Sequence, residues 1–430
     1  MKRFIYQDLI EWKNKVERKP LILNGARQVG KTYILTEFAN REFEQMAYFS
    51  LDRNDKAREV FLSTSNTADI LLALSALSGV DIKPGTTILV LDEIQECPRA
   101  LTALKYFCED MPELHIAVAG SLLGLSLHSQ DSFPVGKVEI LTIFPMSFEE
   151  FLTATGNETM LKLIQERKTS VIETIREKYI DLLRQYFFVG GMPEVVKKYV
   201  ESRELTAVRN IQNNILQNYK RDFSKHAPTS VVPRINMVWD SIPSQLAKEN
   251  KKFVYGAVRG GSRAADFEMA IEWLIDAGLV YKVNRVTKPN MPLKFYEDYN
   301  AFKLFMLDVG LLGALADAPA SAILVGNDIF KEYKGAFTEL YVHNALRQLG
   351  KTIYYFSAPN STIEIDFLVQ NHCEVCPIEV KAEVNVKSKS LRTFIANNPN
   401  LKGIRISMLS PRDQEWMKNL PLYDFISEFK

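Results

Sequence analysis

Between residues 20 and 145, short apolar runs alternate with stretches of helical periodicity, as a parallel sheet joined by crossover helices requires. The candidate strands are Leu21–Leu23, Ala47–Leu51, Ile88–Leu91, Ile116–Ala119 and Glu139–Ile143. Nearly all are continuous apolar segments, the pattern of strands buried on both faces. The pattern then changes. Ser147 follows Pro145 and stands three residues before Glu150, ahead of Phe151 and Leu152, which is the signature of a capping-box helix start. From there to about residue 250 the periodicity is mainly helical, interrupted at Gly190-Gly191-Met192-Pro193. This stretch is expected to form an all-helical lid.

Further on, the spacing predicts a helix over Ala264–Ala277, closed by Gly278 as a C-cap and followed by an apolar strand at Leu279–Val283. Helices followed by a short strand pair suggest a winged-helix module. Beyond residue 291 a helix is expected near Thr338–Leu349, then two strand-like segments, Thr362–Val369 and Cys376–Ala382, joined by a polar turn. That is a separate α/β unit.

A chain of 430 residues exceeds what one hydrophobic core serves, so roughly two to four domains are expected. With 47% hydrophobic and 24% charged residues, the composition is that of an ordinary globular protein. Lys+Arg 53 against Asp+Glu 52 leaves a net charge of +1, which excludes a global basic field for holding nucleic acid. Any such contact must come from local patches. Four cysteines, Cys97, Cys108, Cys373 and Cys376, are too few for a disulfide framework and fit a reducing compartment, so a cytoplasmic location is expected. Asp8, Glu11 and Lys13 interrupt the N-terminal apolar residues, and no run of about 18 apolar residues occurs, so neither a signal peptide nor a membrane span is expected.

Gly25-Ala26-Arg27-Gln28-Val29-Gly30-Lys31-Thr32 matches the Walker A pattern without a mismatch, between the apolar strand Leu21–Leu23 and a helical stretch that starts at Tyr33. The spacing matters because backbone N–H groups of the loop and helix N-terminus must converge on phosphate oxygens. Lys31 would reach the β- and γ-phosphates, and Thr32 would ligand Mg²⁺. Thr87-Ile88-Leu89-Val90-Leu91-Asp92-Glu93 is an apolar strand ending in two acids, the form of a Walker B. Asp92 would hold the Mg²⁺ water shell and Glu93 would orient or deprotonate the attacking water. Ser121, just after the next strand, is a candidate sensor of the γ-phosphate, or else a plain turn or cap residue. ATP and Mg²⁺ are the expected cofactors.

In the C-terminal part, alternation along the strands puts Asp366 on the face opposite Ile365 and Phe367, and Glu379 and Lys381 opposite Ile378 and Val380. If the segments pair as a hairpin about Asn371-His372, Asp366 falls beside Glu379 to within about two residues of register. Two carboxylates on adjacent strands suit Mg²⁺, and a neighbouring lysine can position water or stabilise charge in phosphodiester cleavage. The plain alternative is a solvated sheet face with alternating charges.

Over nearly its whole length the chain resembles a family of bacterial AAA-type ATP-binding proteins whose C-terminal part is catalogued as a domain of unknown function. The resemblance is carried by the Walker A segment, Leu91-Asp92-Glu93-Ile94-Gln95-Glu96, Ala119-Gly120-Ser121-Leu122-Leu123-Gly124, Pro145-Met146-Ser147-Phe148-Glu149-Glu150-Phe151 and Gly190-Gly191-Met192-Pro193-Glu194. Leu307-Asp308-Val309-Gly310-Leu311 and Lys334-Gly335-Ala336-Phe337-Thr338-Glu339 add to it. The C-terminal constellation resembles the PD-(D/E)xK nuclease superfamily, which would put Asp366, Glu379 and Lys381 in metal and catalytic positions and Glu339 as the helix glutamate completing the metal site. Where relatives often carry an arginine after the sensor strand, this chain has Gly136-Lys137, and Lys137 lacks the planar fork of an arginine finger. Arg221 is another candidate, and so is an arginine elsewhere in the chain.

The expected organisation is therefore an α/β P-loop ATPase domain over 1–145, a helical lid over 146–228, a winged-helix-like module over 229–290 and a nuclease-like α/β domain over 291–430. The expected function is an ATP-hydrolysing protein whose nucleotide state controls a nuclease-like module acting on DNA or RNA. The alternative is a regulatory ATPase with a catalytically silent module that binds protein or nucleic acid. A homo-oligomer would be needed if an arginine acts in trans. A small-molecule kinase would share the P-loop but gives no use to the C-terminal half. The acids on Ala264–Ala277, Asp266, Glu268, Glu272 and Asp276, oppose its use as a DNA-recognition helix. Lys248, Lys251, Lys252, Arg259 and Arg263 are better phosphate contacts. Cys373-x-x-Cys376 beside His372 lacks the second pair that a structural zinc requires.

Overall fold

The computed structural model describes residues 1–120, 133–248, 251–325, 331–358, 363–382 and 388–430. The chain forms two compact units, Met1–Phe144 with Asp276–Leu279, and Pro145–Ile275 with Val280–Lys430.

In the first unit, helix α1 (Ile5–Asn14) precedes β1 (Leu21–Asn24), α2 (Lys31–Glu42) and β2 (Gln45–Ser50). Helices α3 (Asp55–Ser63) and α4 (Thr67–Ser78) lead to β3 (Thr87–Asp92), and α5 (Pro98–Asp110) leads to β4 (His115–Gly120) and β5 (Glu139–Thr142). Every predicted strand is present. All pairs are parallel, in the order β2-β3-β4-β1-β5. β3 and β4 are buried at every position, as their unbroken apolar runs require. The outer strands β2 and β5 alternate buried or half-buried residues with exposed ones, because an edge strand is covered less completely. From β1 the chain crosses to the far edge, returns through β3 and β4, and finally passes to the other side of β1. That reversal leaves a crevice at the carboxyl ends of the strands, where open α/β sheets bind ligands.

The helices are shaped by their ends. Asn66 caps α4, its side chain accepting from the N–H groups of Ala68 and Asp69, and Gly79 ends the helix in the left-handed conformation. Ile22, Phe49, Leu91 and Val118 from the sheet form one core with Phe61, Leu74 and Phe107 from α3, α4 and α5. Full burial stabilises each of those side chains by about 1.5–3 kcal/mol.

The second unit begins with α6 (Phe148–Ala154), where the expected capping box is complete: Ser147 Oγ accepts from Glu150 N, and Glu150 Oε2 accepts from Ser147 N. The helices α7 (Arg176–Val189), α8 (Pro193–Ser202), α9 (Leu205–His226), α10 (Val232–Leu246) and α11 (Ala264–Asp276) follow. Then come β6 (Val280–Val286), β7 (Glu297–Met306), α12 (Val309–Leu315), α13 (Lys331–Gln348), β8 (Ile353–Ser357), β9 (Glu364–Asn371), β10 (Glu374–Val380), α14 (Lys389–Asn397), β11 (Gly403–Ser407), β12 (Arg412–Asp413) and β13 (Met417–Pro421). Among the described residues the strands form one mixed sheet in the order β12-β13-β11-β10-β9-β8-β6-β7.

Strand β6, expected as part of a winged-helix module ending at residue 290, pairs antiparallel with β7 and parallel with β8. It is thus a strand of the larger sheet, which crosses the expected boundary at 290–291. Local periodicity could not reveal this, since both of its partners lie beyond the segment. Helix α11 buries Phe267, Ala270, Ile271, Trp273 and Leu274, so its apolar face serves the core.

The Gly190-Gly191 break between α7 and α8 packs against Asp308. Gly191 N donates to Asp308 Oδ2 at 2.6 Å, while Asp308 Oδ1 accepts from Leu311 N at 2.9 Å and so caps α12. A Cβ on Gly191 would stand 2.1 Å from Met146 O, and one on Gly310 would stand 2.5 Å from Val189 O. Two sequence motifs more than a hundred residues apart are therefore halves of one backbone clasp. Burial pushes the Asp308 carboxyl up to about 6, against the lowering effect of the N–H groups of Gly191, Leu311 and Gly310.

Candidate functional site

The Walker A loop leaves β1 at Gly25, where a Cβ would come within 2.4 Å of Ile143 O, so only glycine lets the turn lie this close to the strand end beside it. Gln28 and Gly30 are both left-handed, with φ of 67° and 93°, and α2 starts directly at Lys31. The backbone N–H groups at that start are not yet used within the helix. Lys31 Nζ donates to Gly25 O and Ala26 O, both at 2.8 Å, so the loop's lysine closes back over its own backbone. Burial lowers Lys31 to about 8, opposed by the nearby Glu93 and Asp92 carboxylates and assisted by Arg27. Tyr33 is exposed on the first turn of α2.

Asp92 ends β3. Its Oδ2 accepts from Thr32 Oγ1 at 2.6 Å and from Tyr48 OH at 2.9 Å, and its Oδ1 accepts from Glu93 N at 2.9 Å. Walker A and Walker B are thus joined directly, with one hydroxyl and one carboxylate side by side. Glu93 is left-handed with φ of 52°, a strained conformation for a residue bearing a Cβ, and Gln95 Nε2 donates to its Oε2. Strand β4 lies between β1 and β3 and ends at Gly120. Ser121, the candidate sensor, lies outside the described residues.

Two residues of this region escaped sequence reasoning. Tyr48 belongs to β2, and only the pairing of β2 with β3 brings its hydroxyl to Asp92. Arg3 is buried, and its guanidinium donates to Val29 O at 3.0 Å and Phe144 O at 2.6 Å, bracing the loop against the chain leaving β5. No sequence motif marks either one. Of the two candidate fingers, Lys137 is ion-paired with Glu109 at 2.9 Å, and Arg221 hydrogen-bonds Asn218 on its own helix.

In the second unit β9 and β10 form the expected hairpin, turning at His372 with φ of 52° and pairing Phe367 with Ile378. The next step in that register brings Asp366 opposite Glu379, and Asp366 Oδ2 accepts from Val380 N at 2.8 Å. Lys381 Nζ lies 2.9 Å from Glu379 Oε1. Glu339, on α13, is buried and ion-paired with Lys251. Lys303, on β7 and wholly buried, lies 2.6 Å from Glu364 Oε1. Burial raises Glu379, aided by Asp366 and opposed by Lys381; burial likewise raises Glu339, aided by Asp366 and opposed by Lys251 and Lys303. Burial alone would lower Lys303 and Lys381, but the carboxylates of Glu364 and Glu379 respectively hold each above its ordinary value.

Glu339, Asp366, Glu379 and Lys381 are therefore brought into one electrostatic cluster, as the sequence pattern anticipates. Among the described residues no group of three or more His, Cys, Asp or Glu is arranged to hold a metal ion. That also covers His372, Cys373 and Cys376; all four cysteines are thiols. Lys251, expected as a phosphate contact, is instead buried against Glu339, because the carboxylate on α13 needs a counter-ion once removed from water.

Comparison with known proteins bears on the first unit as a domain. Residues 17–152 match an AAA domain family, while 180–322 and 334–421 match two families described as domains of unknown function, DUF8612 and DUF4143. The uncharacterised protein MJ1637 of Methanocaldococcus jannaschii is 30% identical over 210 residues, 46% of this chain. The match spans 41% of that relative's length. Among solved structures, the Walker-type ATPase PABY2304 of Pyrococcus abyssi is similar over 73% of this chain and 95% of its own, at 14% identity and a TM-score of 0.46. The ORC1 protein of Aeropyrum pernix, solved in complex with DNA, is similar over 74% of this chain and 92% of its own, at 14% identity and a TM-score of 0.28. The first unit has the α/β parallel sheet of a P-loop domain, and its match to the AAA domain family supports ATP binding. No described helix is long and apolar enough to cross a membrane.

Proposed function

We propose that the chain is an ATP-hydrolysing switch whose nucleotide state controls its C-terminal module. The observation that carries the hydrolytic part is the 2.6 Å bond from Thr32 Oγ1 to Asp92 Oδ2, which joins the two Walker elements at the carboxyl ends of the sheet. A hydroxyl and a carboxylate oxygen so placed suit a hard cation, and Thr32 with Asp92 would hold Mg²⁺. When bound, that ion would neutralise charge on the β- and γ-phosphates. The loop from Gly25 to Gly30 would bind the phosphates through backbone N–H groups. Lys31 would exchange its two carbonyl partners for phosphate oxygens, and Glu93 would orient the attacking water and take its proton. Glu93→Gln is expected to retain ATP binding and lower phosphate release by about 10²–10⁴-fold. Unchanged turnover in that variant would refute the role of Glu93, and ATP binding undiminished in Lys31→Ala would refute the site itself.

The C-terminal module has two readings, Mg²⁺-dependent cleavage of DNA or RNA through Asp366, Glu379 and Lys381, and a silent surface that binds nucleic acid or a regulatory protein. The ion pairing of Glu339 with Lys251 and of Glu379 with Lys381 supports the second. A cleavage assay on DNA and RNA comparing wild type with Asp366→Ala and Lys381→Ala tests it. Cleavage by the wild type that both variants lose would restore the nuclease reading. In either case 1–145 and 146–228 are proposed as the ATPase and lid segments, and the nuclease-like segment expected over 291–430 is proposed to take in β6 from the segment 229–290 expected to be winged-helix-like. Concentration-dependent ATPase activity would indicate a homo-oligomer with an arginine acting in trans.

A further inference from the structure

Glu339, Glu364, Asp366 and Glu379 bring four carboxyl groups to one region of the second unit, and Lys251, Lys303 and Lys381 bring three ammonium groups to them. Lys251 and Lys303 belong to no motif of the sequence. Lys303 comes from β7, near the sheet edge, and Lys251 from the irregular stretch after α10. Both are nonetheless buried, and both end on carboxylates.

We infer that the C-terminal acids are neutralised from within the chain, the Lys251 and Lys303 ammonium groups standing where a divalent cation would have to stand and holding the module metal-free. Charge is the first reason. Four negative groups face three lysines and the buried Arg405 opposite Glu379, so charge is already near balance, and a divalent ion added without expelling a lysine would leave a buried excess of positive charge. Geometry is the second. A hard cation needs several oxygens turned toward one point. Here Glu339 turns one oxygen to Lys251, Glu379 turns one to Lys381, and Asp366 turns one to the Val380 N–H. Two buried oxygens, Glu339 Oε2 and Glu379 Oε2, make no hydrogen bond among the described residues. They are the atoms that would take up a cation if Lys251 left. Lys251 is therefore a competitor for the metal position, and removing its charge should create a site that the native chain lacks.

The inference rests on Asp366, Glu379 and Lys381 forming a nuclease-like constellation, and its test is separate from cleavage. Nucleotide-free, full-length protein is titrated with Mn²⁺, and unbound Mn²⁺ is followed by electron paramagnetic resonance. Wild type and Asp366→Asn should give the same curve, any Mn²⁺ at the P-loop being common to both. Lys251→Met should gain a site at least tenfold tighter, lost again in Lys251→Met/Asp366→Asn, and Mn²⁺ should raise the thermal midpoint of Lys251→Met more than that of the wild type. Mn²⁺ binding by the wild type that disappears in Asp366→Asn would overturn the inference. So would a folded Lys251→Met that gains no site. If Lys251→Met does not fold, the comparison of wild type with Asp366→Asn still decides. Failure of the silent-module reading would appear elsewhere, as cleavage of nucleic acid.

Discussion

Binding of ATP at the Walker A loop should take up about half a proton near pH 8 and almost none near pH 6.5. The group responsible is Lys31, only 7% exposed, whose ammonium is held between two backbone carbonyls and lowered from 10.5 to about 8 by burial. That lowering corresponds to roughly 3 kcal/mol favouring the neutral amine in the unliganded state. Phosphate oxygens replacing those carbonyls bring full negative charge and would return the group to at least its ordinary value. Uptake is then about 0.5 proton at pH 8 and about 0.03 at pH 6.5. The sign is fixed by which state is short of protons: the unliganded site has lost them, so binding strengthens as pH falls from 9 to 7. Isothermal titration calorimetry in buffers of different ionisation enthalpy reads the uptake directly. Lys31→Arg, which stays protonated throughout, should bind without it. Enthalpies that do not depend on the buffer at pH 8 in the wild type, or an equal dependence in Lys31→Arg, would refute the reasoning.

Tyr48→Phe removes one of the two hydroxyl donors to Asp92 Oδ2. It is expected to change the Mg²⁺ concentration needed for half-maximal ATPase activity several-fold while leaving Mg²⁺-free nucleotide binding intact; an unchanged Mg²⁺ requirement would show the hydroxyl to be incidental. Gly191→Ala places a Cβ against Met146 O and should cost about 3 kcal/mol or more in urea unfolding, with no direct effect on the P-loop. Asp308 has a raised carboxyl, at about 6 against 3.8, so its contribution to stability is present in full below pH 4 and is lost as pH rises through 6. Asp308→Asn should remove a component of about 3 kcal/mol from the stability difference between pH 4 and pH 7, and an unaltered pH profile of the urea midpoint would contradict this.

Much of this protein could be read along the chain because the signals were local. The Walker A loop needs its glycines within eight consecutive residues, the Walker B strand announces itself by an apolar run ending in acids, and the Ser147–Glu150 capping box closes within one helical turn. The β9–β10 hairpin follows from period-two alternation on either side of a tight turn, and it placed Asp366 beside Glu379. What could not be read were partners distant in sequence. The membership of β6 in the larger sheet depends on β7 and β8, and the meaning of Gly190-Gly191 depends on Asp308.

The sequence by itself determined which groups are available: a Walker A loop, an Asp–Glu pair at the end of an apolar strand, and carboxylates with a lysine on two paired strands. Only the tertiary structure decided the electrostatic state of those groups. Lys31 folds onto carbonyls of its own loop, whereas Tyr48 on Asp92, and Lys251 and Lys303 against Glu339 and Glu364, are through-space neighbours from separate segments. The physical reason is that a charge removed from water must find its compensation within a few ångströms, and chain folding, not motif spacing, selects the residue that provides it.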